Sequence, residues 1–189
     1  MLEGIELNLL INGGQMISRI FKYSATYLLG EFFYTQSVKR GAANYVNSIK
    51  GNKLNIGANG SILKGIELDS GEKCDIYPDP SRGILYCNMT GPMPYYTDKQ
   101  FDVVFASHIV EHIEPEYIGQ ALRETERIGK EVVIVLPHPL CQGFYTMPSH
   151  KSLVYKTSSG LFVRNNPLRN NRYYTEKVEL DPNIFKIYQ

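Results

Sequence analysis

The chain has 189 residues and a formal net charge of +1 at pH 7. This length can enclose one sizeable hydrophobic core, and the balanced charge gives no global field that would draw the protein to nucleic acid or to an anionic membrane. The three cysteines have no paired spacing, so the sequence predicts no disulfide framework and favours a reducing, cytoplasmic setting. These cysteines are Cys74, Cys87 and Cys141.

Residues 1–50 predict a helical extension that precedes the main domain. Apolar residues recur at helical spacing over residues 16–49, after a turn signal. The charged residues Arg19, Lys22 and Glu31 interrupt the one long apolar stretch, so no membrane span is predicted there, and the first residues lack the order of a signal peptide. The aromatic residues of this pattern suit packing against a core, with docking of a protein partner as the alternative.

Residues 51–189 predict an α/β domain with a mostly parallel sheet. Short apolar runs between turn residues indicate five strands, at 54–57, 65–68, 84–87, 103–106 and 132–136. The clearest helix lies between the last two strands, because Pro115 suits a first helical position and Gly129 suits a stop. Strand, helix and strand in close succession imply a right-handed crossover, and together these elements predict a Rossmann-like three-layer sandwich.

The segment 101–115 is the most informative in the chain. After Asp102 it continues Val-Val-Phe-Ala, which suits a strand covered on both faces. It then becomes polar, with Ser107, His108, Glu111 and His112 in close succession. The carboxyl ends of parallel strands form the ligand crevice of such sheets, so these side chains are expected at a binding site.

This segment resembles the fourth-strand region of class I S-adenosylmethionine (SAM) dependent methyltransferases. A second resemblance lies upstream, where Lys53-Leu54-Asn55-Ile56-Gly57-Ala58-Asn59-Gly60 and then Gly65-Ile66-Glu67-Leu68-Asp69 are similar to the opening of small members of that family. The two resemblances cover about residues 52–137. They imply methyl transfer with S-adenosyl-L-methionine as cofactor. The acceptor is unknown, and small family members with this opening often act on small molecules or in glycan pathways.

The resemblance also implies cofactor-binding roles. Gly57 would let the cofactor approach the backbone, and Asp69, at the end of the predicted second strand, would hold the ribose hydroxyls as the acidic residue of dinucleotide sites does. Asn88 would meet the adenine through its side-chain oxygen. Further cofactor contacts are implied for Ala58, Asn59, Met89 and Ser107.

Two departures from the family pattern concern the glycine loop. Asn59 stands where the family has its second loop glycine, although asparagine tolerates positive φ better than most residues. Seven residues separate Gly57 from Gly65, fewer than the dozen or so of a helical crossover, so the helix after this loop is expected to be missing or reduced to a turn. A catalytically inactive methyltransferase-like module with a structural or assembly role is therefore a second hypothesis.

His108 is the predicted catalytic residue, because a base or an orienting group at this position would help an acceptor lose its proton. The alternative is that His108 holds the turn, and that is the favoured interpretation for Glu111 and His112. Histidine and cysteine side chains could also bind zinc, but their spacing fits no compact site and no metal is predicted. The further donors considered were His138, Cys141 and His150.

Residues 137–189 are basic and rich in proline and asparagine. Residues 152–157 and 161–164 predict a hairpin, which would take the place of the antiparallel pair that closes the sheet in the resembled family. Aromatic and basic residues interleaved in this way can bind single-stranded nucleic acid. A nucleic-acid methyltransferase is therefore a further alternative, although the same pattern describes an ordinary exposed hairpin, which is the favoured interpretation.

Overall fold

The computed structural model of the protein describes residues 34–59, 68–138, 149–166 and 174–189. Within these ranges the chain forms helix α1 (34–48), then β1 (Lys53–Ile56), β2 (Glu72–Asp75), β3 (Ile84–Tyr86), β4 (Phe101–Ser107), helix α2 (Pro115–Ile128), β5 (Gly129–Val135), β6 (Ser152–Thr157), β7 (Gly160–Asn165), β8 (Thr175–Glu179) and β9 (Phe185–Tyr188). Two short 3-10 turns occur at Pro80–Arg82 and Val110–His112. No helix in the described parts of the chain is both long and apolar enough to cross a membrane.

Six strands form one large sheet in the order β3-β2-β1-β4-β5-β9, and every pairing in it is parallel. The α/β class predicted from the sequence is therefore confirmed. The hairpin of β6 and β7 is also confirmed, but it does not close the large sheet. Strand β7 is bonded to β6 on one side and to β8 on the other, so these three strands form a separate antiparallel sheet.

The large sheet is covered on both faces, as a parallel sheet requires. On one face, α1 packs against alternate residues of β4 and β5, in a cluster that contains Ala42, Ala43, Val46, Val103, Phe105, Val133 and Val135. The opposite face packs against α2 and the small sheet, in a cluster that contains Leu54, Val104, Val132, Ile134, Ile118, Leu122, Val154 and Val163. Residues 37–48 of the predicted extension thus cover the sheet, while residues 15–33 lie outside the described ranges.

Helix α2 begins and ends where the sequence predicts. Pro115 is its first residue, and Gly129 follows its last residue and opens β5 directly. A Cβ on Gly129 would lie 2.7 Å from Cγ2 of Val104 in the neighbouring strand. Glycine therefore lets the chain pass without a loop from the helix into a buried strand.

The second strand lies later in the chain than predicted. Strand β2 pairs with β1 through Glu72 opposite Leu54, whereas the predicted strand was 65–68. Leu68 belongs to no strand, and residues 65–67 lie outside the described ranges. The connection from β1 to β2 is consequently fifteen residues long, from 57 to 71. This length meets the usual requirement of a parallel crossover, so the short connection inferred from the sequence is wrong. Residues 60–67, where the helix was expected to be missing or reduced to a turn, lie outside the described ranges.

A disulfide joins Cys74 of β2 to Cys87, which follows β3, with their Cα atoms 5.5 Å apart. The prediction of unpaired cysteines is wrong for these two residues. The register of the parallel pair places Cys74 opposite Leu85, so residues 13 apart in sequence become neighbours. Disulfides persist mainly in oxidising compartments. The cytoplasmic setting was inferred from unpaired cysteines, and this disulfide removes that reason for it.

Candidate functional site

The strand order of the large sheet reverses between β1 and β4. Strands β2 and β3 lie on one side of this point, and β5 and β9 lie on the other. In open parallel sheets, ligands bind at the carboxyl ends of the strands beside such a reversal. Gly57 follows the end of β1 and His108 follows the end of β4, so both residues occupy the expected position of a ligand crevice.

The two segments that carry the family resemblance touch at this point. Gly57 has a φ of 78°, and the side chain of Ile109 occupies the place where a Cβ on Gly57 would be. The close approach of a cofactor was the role expected of this glycine from the sequence. The structure shows that the chain's own β4 loop and the positive φ already require glycine here.

The glycine loop is fixed to β2 through its backbone. The amides of Gly57 and Ala58 both donate to the carbonyl of Cys74, at 2.8 and 3.2 Å. The amide of Asn59 donates to the Asp75 carboxylate at 2.9 Å. These three consecutive amides point to β2, so they are not donors for a ligand. A cofactor without phosphate groups does not need them.

Asn59 bridges the two loops at the ends of β1 and β2. Its side-chain amide donates to the carbonyl of Tyr77 at 2.8 Å, and its side-chain oxygen accepts from Arg82 at 2.8 Å. Among the described residues other than glycine, only Lys99 and His108 have a positive φ. Asn59 is thus held by the hydrogen bonds of its side chain, and its φ is not positive, so the loop does not need the tolerance of asparagine for that conformation.

The position of Asp69 does not suit the ribose role. It is exposed and precedes β2, and its backbone amide donates to the side chain of Asn47 at 3.1 Å. The acidic residue at the carboxyl end of β2 is Asp75, which is 6% exposed. Its carboxylate accepts from the amides of Asn59 and Tyr77, both at 2.9 Å, and about two of its acceptor positions remain.

The residues implied to contact adenine lie beyond the end of β3. The side-chain oxygen of Asn88 accepts from the backbone amide of Thr90 at 3.1 Å and from its hydroxyl at 2.7 Å. A carbonyl oxygen has two lone pairs, so this oxygen is already fully used. Met89 is buried in the core, and Ser107 is half-buried at the end of β4.

His108 has the left-handed backbone conformation, with a φ of 55°. Histidine is among the residues that tolerate this region, and such conformations concentrate at functional sites. The backbone amide of His108 donates to the carbonyl of Val135 at 2.9 Å, which ties the β4 loop to the end of β5. The Nε2 atom of His108 is buried and has no hydrogen-bond partner among the described residues.

Three ionisable side chains gather beside His108. Its Nδ1 lies 3.3 Å from Oε1 of Glu111, which is fully buried. The rings of His112 and His150 have their centroids 4.9 Å apart in an edge-to-face arrangement. One potential ligand atom from each of Glu111, His112 and His150 lies within 4.8 Å of the other two. Both histidines were candidate donors from the sequence, but the proximity of His150 to Glu111 was not predicted.

The start of β6 is held against the β4 loop by hydrogen bonds. The amide of Lys151 donates to the carbonyl of Glu111 at 2.9 Å, and the hydroxyl of Ser152 donates to the carbonyl of Ile113 at 2.5 Å. These contacts join segments about forty residues apart. They place His150 beside Glu111, so the small sheet contributes to the same cluster as the large one.

The charge states in this cluster follow from its geometry. Burial alone would raise the pKa of Glu111, but the contact with His108 and the charge of His112 outweigh it, and the pKa lies below its ordinary value. Burial lowers the pKa of His150, an effect that Glu111 opposes. The cluster therefore combines a carboxylate with a neutral imidazole at neutral pH.

The other candidates from the sequence are His138, Cys141 and the aromatic and basic residues of the hairpin. His138 follows β5 and is not a member of the Glu111 cluster, and Cys141 lies outside the described ranges. Tyr155 of the small sheet contacts both Phe162 and Arg164, with the Arg164 guanidinium 5.7 Å from the centre of the Tyr155 ring. Such cross-strand contacts fit the ordinary hairpin interpretation.

Comparison with known proteins gives one finding. No family model matches the chain, and no curated protein is similar to it. The chain is similar to the crystal structure of a SAM dependent methyltransferase from Archaeoglobus fulgidus, with 25% sequence identity and a TM-score of 0.42. The match covers 66% of this chain and 66% of that one. A TM-score of this size does not assign the chain to a family.

Proposed function

We propose that the protein is a SAM-dependent methyltransferase that acts on a small molecule or a glycan. The contact between Gly57 and Ile109 supports this proposal most strongly. Two segments that separately resemble the same family are about fifty residues apart in sequence, and they meet at the reversal of strand order where ligands bind. A chance resemblance of either segment would not require this meeting.

The residues at this edge suit the tasks of methyl transfer. SAM supplies a methyl group already activated by a sulfonium, so the protein mainly has to align the acceptor. Asp75 would accept the ribose hydroxyls in place of Asp69, because it lies at the correct end of β2. His108 would orient the acceptor and take its proton as the bond from carbon to the acceptor forms and the bond to sulfur breaks.

A catalytically inactive module is the second candidate, and a specific observation favours it. The adenine acceptor expected of Asn88 is occupied by Thr90. A chain of this kind would keep the fold and the contact between Gly57 and Ile109 without binding the cofactor. SAM affinity separates the two candidates.

Titration calorimetry of the full chain with SAM tests the proposal, with Asp75→Asn and Asp69→Asn as a matched pair. We expect the unsubstituted chain to bind one SAM. Asp75→Asn should weaken binding by about 10-fold to 150-fold, because a charge-assisted hydrogen bond is worth about 1.5–3 kcal/mol. Asp69→Asn should bind like the unsubstituted chain.

The asparagine substitution keeps one acceptor oxygen for the glycine loop, and thermal unfolding shows whether Asp75→Asn remains folded. Absence of binding at millimolar SAM in the unsubstituted chain would favour the inactive module. A loss with Asp69→Asn and none with Asp75→Asn would place the ribose at the other end of β2.

A further inference from the structure

Unpartnered polar atoms concentrate in the cluster around Glu111. In the parts of the chain that the structure describes, six buried side-chain nitrogen or oxygen atoms have no hydrogen-bond partner, and four of them belong to this cluster. They are Oε1 and Oε2 of Glu111, Nε2 of His108 and Nδ1 of His150. Burial of a carboxylate is costly unless a cation or a donor compensates it; His108 approaches Oε1 of Glu111 at 3.3 Å, and Oε2 has no hydrogen-bond partner among the described residues.

The hydrogen bond of His112 prepares this residue to bind a cation. Its Nδ1 lies 3.1 Å from the carbonyl oxygen of Ser149, which can only accept, so Nδ1 carries the proton. This leaves the lone pair on Nε2 free. Histidines that bind metals usually donate their other ring N–H to a carbonyl or a carboxylate in this way, which fixes the tautomer and the orientation of the ring.

We propose that Glu111, His112 and His150 bind one divalent transition-metal ion, with zinc as the first choice. Two imidazoles and one carboxylate form an established zinc ligand set that leaves a position open for water or for another oxygen ligand. Imidazole donors disfavour magnesium and calcium, which prefer oxygen. The proposal does not rest on the methyltransferase function.

The geometry is close to what a metal requires. Metal–ligand bonds of about 2.0–2.2 Å at tetrahedral angles place two ligand atoms about 3.3–3.6 Å apart, and the three atoms lie within 4.8 Å of one another. Movements of roughly 1 Å would close the site. The hydrogen bond from the backbone amide of Lys151 to the carbonyl of Glu111 holds the two contributing segments together.

Two side chains compete with a metal as compensation for the buried charge of Glu111: His108, whose Nδ1 lies 3.3 Å from Oε1, and Lys39 of α1. Burial lowers the pKa of Lys39, and the charge of Glu111 opposes this effect, so Lys39 and Glu111 interact electrostatically. Neither oxygen of Glu111 has a hydrogen-bond partner in the described residues, Lys39 included. Neither His108 nor Lys39 therefore makes a hydrogen bond to Oε2, and the lone pairs of this oxygen stay available to a metal.

The test uses the full chain, stripped with a chelator and then dialysed against Zn²⁺, with bound zinc measured by elemental analysis. Glu111→Gln and His150→Asn are compared with the control His138→Asn, a histidine substitution outside the cluster. We expect one zinc per chain in the unsubstituted protein and in the control. We expect at least tenfold weaker binding in the two cluster variants.

A second readout uses Co²⁺ in place of zinc, because its visible absorption reports nitrogen and oxygen ligands directly. This spectrum should disappear in His150→Asn. This variant retains Glu111, so it tests the site even if Glu111→Gln does not fold. Failure to retain zinc in the unsubstituted protein would overturn the proposal. Equal retention in His150→Asn and in the control would also overturn it, since the ion would then lie elsewhere. SAM affinity is measured separately, so a failure of either proposal can be recognised.

Discussion

Gly57→Ala is expected to lower the free energy of unfolding by about 2–4 kcal/mol. A side chain at a φ of 78° costs about 1–2 kcal/mol. The new Cβ would also overlap with Cδ1 and Cγ1 of Ile109, which are the outer carbons of a flexible side chain, so the crowding costs about 1–2 kcal/mol, the lower part of the range for a packed region. Urea unfolding followed by circular dichroism measures the loss without any assumption about a cofactor.

A double-mutant cycle with Ile109→Ala separates the two contributions. Removing the outer carbons of Ile109 relieves the overlap and leaves the backbone strain, so Gly57→Ala should cost only about 1–2 kcal/mol in that background. The Cβ of Ile109 would remain 3.8 Å from the new carbon, which is an ordinary contact. Strict additivity of the two substitutions would contradict the contact between the β1 and β4 loops.

His108→Asn is expected to slow methyl transfer about a hundredfold while SAM affinity changes little. Loss of a group that moves a proton in the transition state typically has an effect of this size. Asparagine also tolerates the left-handed conformation of His108, so this substitution removes the imidazole without adding the backbone strain of alanine. Single-turnover rates and SAM affinity are measured on the same preparation.

His138→Asn is the control for this second prediction, since it removes a histidine that lies outside the cluster. It should leave the transfer rate unchanged. A full rate in His108→Asn would show that the acceptor needs no base at this position. A parallel loss of stability and SAM affinity in His108→Asn would show that His108 holds the turn between β4 and the loop, which was the alternative drawn from the sequence.

The elements with strong local signals could be predicted from the sequence. Helix α2 is bounded by Pro115 and Gly129, whose backbone properties act on their immediate neighbours. Strand β4 is a continuous apolar run because both faces of the sheet are covered. Strand β2 could not be found in this way, because in Glu72–Asp75 only the last two residues are buried and the segment has no apolar pattern.

The candidate site was predictable only in part. The polar end of β4 identified His108, because the end of a parallel strand has a defined place in the fold. The pairing of Cys74 with Cys87 depends on strand register, and the approach of His150 to Glu111 depends on the docking of β6 against the β4 loop. Neither contact has a local pattern, since each joins residues that are brought together only by tertiary packing.

The most direct test of the central claim is a crystal structure of the full chain grown with S-adenosylhomocysteine, the product that methyl transfer leaves behind. We expect this molecule to lie at the carboxyl ends of β1 and β4. Its sulfur should face His108, and its ribose should lie against Asp75. Electron density for the molecule elsewhere, or a site that stays empty at millimolar concentration, would contradict the assignment of this edge as a methyltransferase active site.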